Sequence, residues 1–194
     1  TESLTLEGGA YSGRYRSTTM PAGVDILAPV QVGSADGSGA AGATIVGEVR
    51  DAAVPGDGVT PVLQRFAVGL RGTGGKLTAL GGASVTIEGR DFTASGSDAI
   101  YIAGATPAAL DMSQGGDLSL NGNTNVRLGG EIVLGTDRAF TASAGNTLTI
   151  ENATISGSAA SVSLSGNNVA IGATGRATQL SFGDSTTVAI TAPN

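Results

Sequence analysis

From about Leu77 onward, apolar residues recur as short apolar–x–apolar triplets. Clear cases are Val85-Thr86-Ile87, Ile100-Tyr101-Ile102, Leu118-Ser119-Leu120, Val126-Arg127-Leu128 and Ile132-Val133-Leu134. The series continues with Leu148-Thr149-Ile150, Val162-Ser163-Leu164, Val169-Ala170-Ile171 and Val188-Ala189-Ile190. Weaker versions fill the gaps, among them Leu77-Thr78-Ala79, Phe92-Thr93-Ala94, Leu110-Asp111-Met112 and Phe140-Thr141-Ala142. Triplet starts fall mostly about 6 to 8 residues apart, the regularity of a repeat. A period of two puts both apolar side chains of a triplet on one face and the middle one on the other. Each triplet therefore predicts a short strand. Gly or Asn follows many of them, as in Ser165-Gly166-Asn167-Asn168, and both accept positive φ at a tight corner. Helical periodicity is nearly absent; the only candidate helical turns are Ala52–Val54 and Thr106–Asp111.

Two all-β architectures satisfy this pattern. Three triplets per rung give a coil of roughly 24 residues, a parallel β-solenoid. Hairpin turns instead give an antiparallel sandwich or barrel. The solenoid accounts better for strands shorter than the usual length of about five or six residues.

The pattern differs before Leu77. Residues 20–72 alternate turns and strands: Val30-Gln31-Val32, then a Gly/Ser/Ala loop over 34–43, then Ile45-Val46-Gly47-Glu48-Val49. A turn-rich connection over 51–58 leads to a strand pair over 59–68. That order predicts a small β-barrel-like module at 21–72. A Gly-rich linker at 73–76 then separates it from a triplet-repeat β-domain at 77–194, a solenoid or a sandwich.

Composition narrows the chemistry. Of 194 residues 32 are Gly, 13% are charged and 4% are aromatic, with no His, Cys or Trp and a net charge of −6. Absence of His and Cys removes the commonest general base, the thiol nucleophile, Cys/His zinc sites and disulfides. No cofactor or metal site is expected, and the reading is of a structural or binding protein, not an enzyme. Acid exceeds base, so direct nucleic-acid binding is not expected. No apolar run approaches the roughly 18 residues of a membrane span, so no membrane partner is expected. No signal peptide is visible; a mature secreted chain and a cytosolic chain that has lost its initiator Met both fit.

Local motifs add little. Gly72-Thr73-Gly74-Gly75-Lys76 lacks the Ser or Thr of a phosphate loop, because Leu77 follows the Lys. Ala35–Gly39 holds one carboxylate where a calcium loop needs several oxygens. The carboxylate pairs Glu88 with Asp91, Asp111 with Asp117 and Glu131 with Asp137 are the candidates for glycoside hydrolysis, in a chain with few aromatics to stack a sugar. Asn152-Ala153-Thr154 matches a glycosylation sequon and reads most simply as a corner of the repeat. Arg65 and Arg71, with Phe66, are the candidates for a contact between subunits; the plainer reading of each Arg alone is a solvated surface charge.

The first segment resembles the head-decoration (capsid cement) proteins of tailed bacteriophages. The resemblance rests on Pro29-Val30-Gln31-Val32-Gly33, Ile45-Val46-Gly47-Glu48-Val49, Ala52-Ala53-Val54-Pro55-Gly56-Asp57-Gly58-Val59 and Phe66-Ala67-Val68-Gly69, and it spans only Met20 to Gly72. It implies a virion protein on the outer capsid surface, a homotrimer that clamps neighbouring copies of the major capsid protein. The arm it implies is Thr1–Met20. Tyr11, Arg14, Tyr15 and Arg16 are its expected capsid-binding residues, since Tyr and Arg are enriched at interface hot spots. The long segment after Leu77 departs from the small decoration proteins. The alternative is a secreted bacterial surface adhesin or matrix-fibre subunit on a β-solenoid, extracellular or at the cell surface, because the Gly/Ser/Thr/Asn-rich triplets resemble those of filamentous haemagglutinins and autotransporter passengers.

Overall fold

The computed structural model describes residues 4–12, 22–37, 42–51, 66–93, 97–104, 109–172 and 177–193. These form strands, bends and turns with no helix, so the protein is all-β. In chain order the first coil holds β1 (Leu4–Ser12), β2 (Ala22–Ile26) and β3 (Pro29–Val32). The second holds β4 (Ala43–Asp51), β5 (Phe66–Gly72) and β6 (Lys76–Ala79), and the third β7 (Val85–Phe92), β8 (Asp98–Gly104) and β9 (Leu110–Asp111). Then follow β10 (Leu118–Gly122) with β11 (Asn125–Leu134), and β12 (Ala139–Ala144) with β13 (Thr147–Gly157). The chain closes with β14 (Ser161–Ser165), β15 (Asn168–Ile171), β16 (Gln179–Phe182) and β17 (Thr187–Thr191).

Every pairing among these strands is parallel. One face carries β1-β4-β7-β10-β12-β14-β17 in that order. A second carries β2, β5, β8, the first halves of β11 and β13, and β15. The third carries β3, β6, β9, the second halves of β11 and β13, and β16. The chain thus visits three faces in turn, and each circuit lies about 4.8 Å above the last, the spacing of paired strands. This is the parallel coil that short strands with tight corners suggest; no antiparallel sandwich is present among the described residues.

The triplets explain the core. Val85 and Ile87, Leu118 and Leu120, Phe140 and Ala142, and Val162 and Leu164 stack in register down the first face, none more than 2% exposed. Their middle residues Thr86, Ser119, Thr141 and Ser163 face out. A narrow interior one triplet deep has little room for large rings, and Phe140 is the largest fully buried side chain.

The separation between stacked positions is not constant, which hides the repeat in the sequence. Ser84 and Asp117, joined across a corner by a hydrogen bond from the Asp117 backbone N–H, lie 33 residues apart. Asp117 and Ala139, joined at the next coil, lie 22 apart. Corners absorb the difference while the strands keep register.

The corners use polar side chains in two ways. Where the first face turns into the second, Asn side chains tie coil to coil. Asn123 accepts from the Asp91 backbone N–H at 2.7 Å and donates to the Asp91 carbonyl at 2.9 Å. Asn146 donates to Asn125 Oδ1 at 3.1 Å, and Asn167 donates to the Gly145 carbonyl at 3.0 Å. Contrary to expectation, these Asn residues serve by hydrogen bonding and not by positive φ. Positive φ appears instead at the other two corners, as at Gly130 (75°) and Asn152 (50°) between the second and third faces and at Gly33 (82°) and Asp137 (56°) between the third and the first. Asn152, the sequon residue, is an exposed corner of the repeat.

Several sequence-based expectations need correction. The strands of residues 22–72 close no barrel of their own: β2 pairs β5, β3 pairs β6, β4 pairs β7 and β5 pairs β8, so they are the first coils of the same sheets. The Gly-rich 73–76 stretch is a tight corner, not a linker. A Cβ on Gly75 would lie 2.4 Å from the Arg71 carbonyl oxygen, and one on Gly74 would lie 2.6 Å from that of Leu27. Leu110–Asp111, expected in a helical turn, is strand β9. Phe92, expected to begin an inward triplet, points out from the end of β7 and is 50% exposed. Ala52–Val54 and the motif of residues 52–59 lie outside the described residues.

Leu128 tests the stacked core. It is fully buried, in register with Ile102 before it and Ile150 after it. Leu128→Ala is expected to lower unfolding free energy by about 2–5 kcal/mol, measured by denaturant titration. A loss below about 0.5 kcal/mol would contradict the packed interior.

Candidate functional site

The outward surface of the second face gathers the aromatic and charged residues that the triplets leave at their centres. Asp25, Gly69, Tyr101, Arg127 and Thr149 occupy one column across five coils. The Phe66 ring lies across Gly69, where a Cβ would meet it at 2.2 Å, and stacks on Tyr101 with centroids 5.7 Å apart. The Arg71 guanidinium lies 5.1 Å from the centre of the Phe66 ring. It also donates from Nε and Nη2 to Asp25, the shortest contact being 2.6 Å. That fork holds the Arg71 guanidinium above its ordinary pKa, against a smaller opposing effect of burial.

One step along the column, Arg127 sits between carboxylates of the coils on either side. Its Nε lies 3.2 Å from Asp98 Oδ2, and its Nη1 donates to Glu151 at 2.9 Å. Burial pushes the Asp98 carboxyl above its usual value; Arg127 opposes this, and the charges of Glu151 and Asp91 add to it. On the third face, Lys76 pairs with Asp111 of the next coil at 3.4 Å. Burial works against the ionised Asp111, but hydrogen bonds from Ser113 and Lys76 outweigh it and hold that carboxyl below its usual value.

The outer surface of the first face has two parts. Its N-terminal part carries Glu48 paired with Arg50 and Glu88 paired with Arg90 on neighbouring strands, and the Arg50 guanidinium lies 4.6 Å over the exposed Phe92 ring. From β10 onward the same face presents Ser119, Asn121, Thr141, Ser143, Ser163 and Ser165, without a charge.

Two of the residues singled out for a subunit interface, Phe66 and Arg71, make contacts within the chain. Phe66 is 2% exposed and Arg71 is paired with Asp25, while Arg65 lies outside the described residues. Of the arm residues, Tyr11 lies in β1 opposite Arg50, and Arg14, Tyr15 and Arg16 lie outside the described residues. The carboxylate pairs do not form paired sites. Glu88 faces out beside Arg90, whereas Asp91, 3% exposed, faces the corner and accepts from the Thr93 N–H at 2.8 Å. Asp111 is held by Ser113 and Lys76, whereas Asp117 accepts from the Ala139 N–H at a corner. Glu131 lies in β11 and Asp137 is an exposed corner with φ 56°. The sequence reading missed Asp98, Arg127 and Glu151; Arg127 was legible as a charge at the centre of a triplet.

Among the described residues no group of three or more acidic side chains is placed to hold a metal ion, and no helix is long and apolar enough to cross a membrane. What the second-face column does chemically is bind coil to coil. No protein-family model, curated protein or solved structure matches the chain.

Asp98 gives this column a pH signature. Its folded pKa is raised, so between the unfolded and folded values the native state holds more protons than the unfolded one. Its contribution is therefore favourable below the unfolded value and is lost as pH rises through the folded value. A denaturation series across the carboxylate range is expected to show a stability difference between the parent and Asp98→Asn that falls as pH rises. In Asp98→Asn that component is absent, leaving the opposite trend from Asp111. Superimposable pH profiles would refute the assignment.

Proposed function

We propose that the chain is a non-catalytic structural module of a surface-displayed fibre or adhesin, working as a stiff β-coil that presents its outward faces. The observation that carries this reading is the parallel pairing that runs unbroken from β1 to β17, straight through residues 72–76. A rod whose coils are all tied to their neighbours spaces and displays surface groups. Its ionisable side chains on the second face are engaged in binding coils together, not poised over a cleft.

The capsid-decoration reading is the second one. In its favour, three of the segments that carry the resemblance are strands: Pro29–Val32 is β3, Ile45–Val49 lies in β4 and Phe66–Gly69 lies in β5. Against it, those strands are rungs of the coil and make no separate capsid-binding module.

Localisation separates the two. With an antibody to the chain, the expected signal is on the cell surface or in the extracellular matrix of the producing bacterium. Co-purification with icosahedral particles through a density gradient, lost on removal of residues 1–20, would overturn the fibre reading in favour of the capsid.

A further inference from the structure

We propose that the first face docks on the first face of a second copy of this chain, about a two-fold axis that runs along the strands midway between β4 and β7. This rests on the reading of a fibre module and specifies how two such rods are held side by side.

β4 and β7 carry the same Glu-x-Arg run, Glu48-Val49-Arg50 and Glu88-Gly89-Arg90. Their parallel register sets the two runs out of phase. Val46 lies beside Glu88, Glu48 beside Arg90, and Arg50 beside Phe92. Each Glu is paired with the Arg of its own strand. Arg50, Arg90 and Phe92 are each about half exposed, so the group stands on the surface. Guanidiniums and an aromatic ring on an exposed sheet face are the side chains in which interfaces are enriched.

The offset makes this surface complementary to itself. A two-fold axis along the strands lays β4 over the second copy's β7 with the rows kept level, the two sheets about 10 Å apart. Glu48 then meets Arg90 of the second copy, and Arg90 meets its Glu48. Arg50 comes level with the second copy's Phe92, a cation–ring contact of the kind it already makes at 4.6 Å with its own Phe92. Glu88 meets Val46 and keeps its own Arg90 as partner. Beside these, β1 lies over the second copy's β10, where Glu7 meets the Asn121 amide. None of these rows sets like charges opposite each other. An in-phase register, with Glu beside Glu, would have set Glu against Glu across the axis.

Pairing within each copy lowers the cost of bringing these groups together. Docking adds a partner to ion pairs that already exist and buries no lone Arg or Glu of the two runs. Arg90 donates from Nη2 to Glu88 at 2.9 Å, and a guanidinium carries five N–H donors, so Glu48 of the second copy is an additional acceptor and not a competitor. Charge matching of this kind fixes register and orientation more than it supplies affinity. The overlap takes in β1, β4, β7 and β10 of each copy, which makes the contact a small and concentration-dependent one. The two rods run in opposite directions along their length. Because the contact lies on the side of the coil, it does not depend on what precedes β1 or follows β17.

Sedimentation velocity on the 194-residue chain, over a concentration series up to about 1 mM, tests this. The parent is expected to pass from monomer to dimer as concentration rises. Glu48→Arg sets Arg against Arg90 at both symmetry-related contacts, and Arg90→Glu sets Glu against Glu48. Each variant alone is therefore expected to dimerise at least about tenfold more weakly. Mixed in equal amounts, the two variants are complementary again and are expected to form a heterodimer. The double variant, Glu48→Arg with Arg90→Glu, is expected to regain the homodimer. Circular dichroism checks that each variant keeps its sheets, and recovery in the mixture is a result that a misfolded chain does not give. A parent that stays monomeric throughout, single variants that dimerise as the parent does, or a mixture that fails to recover would overturn the proposal. A monomeric parent found on the cell surface would leave the fibre or adhesin reading standing and remove only the side-by-side contact.

Discussion

The parallel backbone ladder between successive coils is the constraint on which the rest depends. Once a strand hydrogen-bonds in register with the one a coil earlier, each of its side chains is fixed directly over a predecessor. Inward positions become columns, and each column must be filled by side chains that stack on like neighbours without gaps. Val, Ile, Leu and Ala do this, and Val85, Leu118, Phe140 and Val162 form one such column. The same stacking limits the width of the interior to a triplet from each face. This is the physical reason for the scarcity of aromatics that stood out in the composition.

Stacking governs the outside as well. Side chains about 4.8 Å apart cannot repeat one charge down a column without mutual repulsion. The chain answers with alternation: Asp25 with Arg71, Lys76 with Asp111, and Asp98 with Arg127 and Glu151. An isolated surface pair of this kind contributes roughly 0 to 1 kcal/mol, but Arg127 links three coils at once, and a network of that sort resists local opening better than separate pairs do. Where alternation stops, from β10 onward on the first face, hydroxyls and amides replace charge. The low charge content is therefore a consequence of the coil, not a sign of low complexity.

Much of this was legible in the sequence. The triplets at Val85, Ile100, Leu118, Val126, Ile132, Leu148 and Val162 are strands with buried ends and a half-buried centre. The first coils were not legible as coils because long connections separate their triplets. Residues 13–21 stand between β1 and β2, and 52–65 between β4 and β5, so the spacing that betrays the later repeat is lost. The place of the Phe66 ring was hidden from the sequence for a different reason. An aromatic beside arginines reads as a surface hot spot, but the glycine at position 69 clears a slot in which the ring lies flat against its own sheet. Which side of an irregular strand a ring takes depends on that slot, and residue spacing does not reveal it.

The long connections also show how the coil tolerates variety. In the first three coils 13–21, 52–65 and 93–97 separate the first-face strand from the second-face strand, which later coils separate by two residues such as Asn123-Thr124 or Gly145-Asn146. Lengthening a connection costs only slowly increasing closure entropy, roughly 0.6 kcal/mol per doubling, whereas shifting a strand by one residue would turn its apolar triplet outward. Length can therefore be added at a corner while the columns stay intact. The architecture separates two tasks physically: ladders and columns hold the rod, and one corner of its first three coils accepts added chain at little energetic cost.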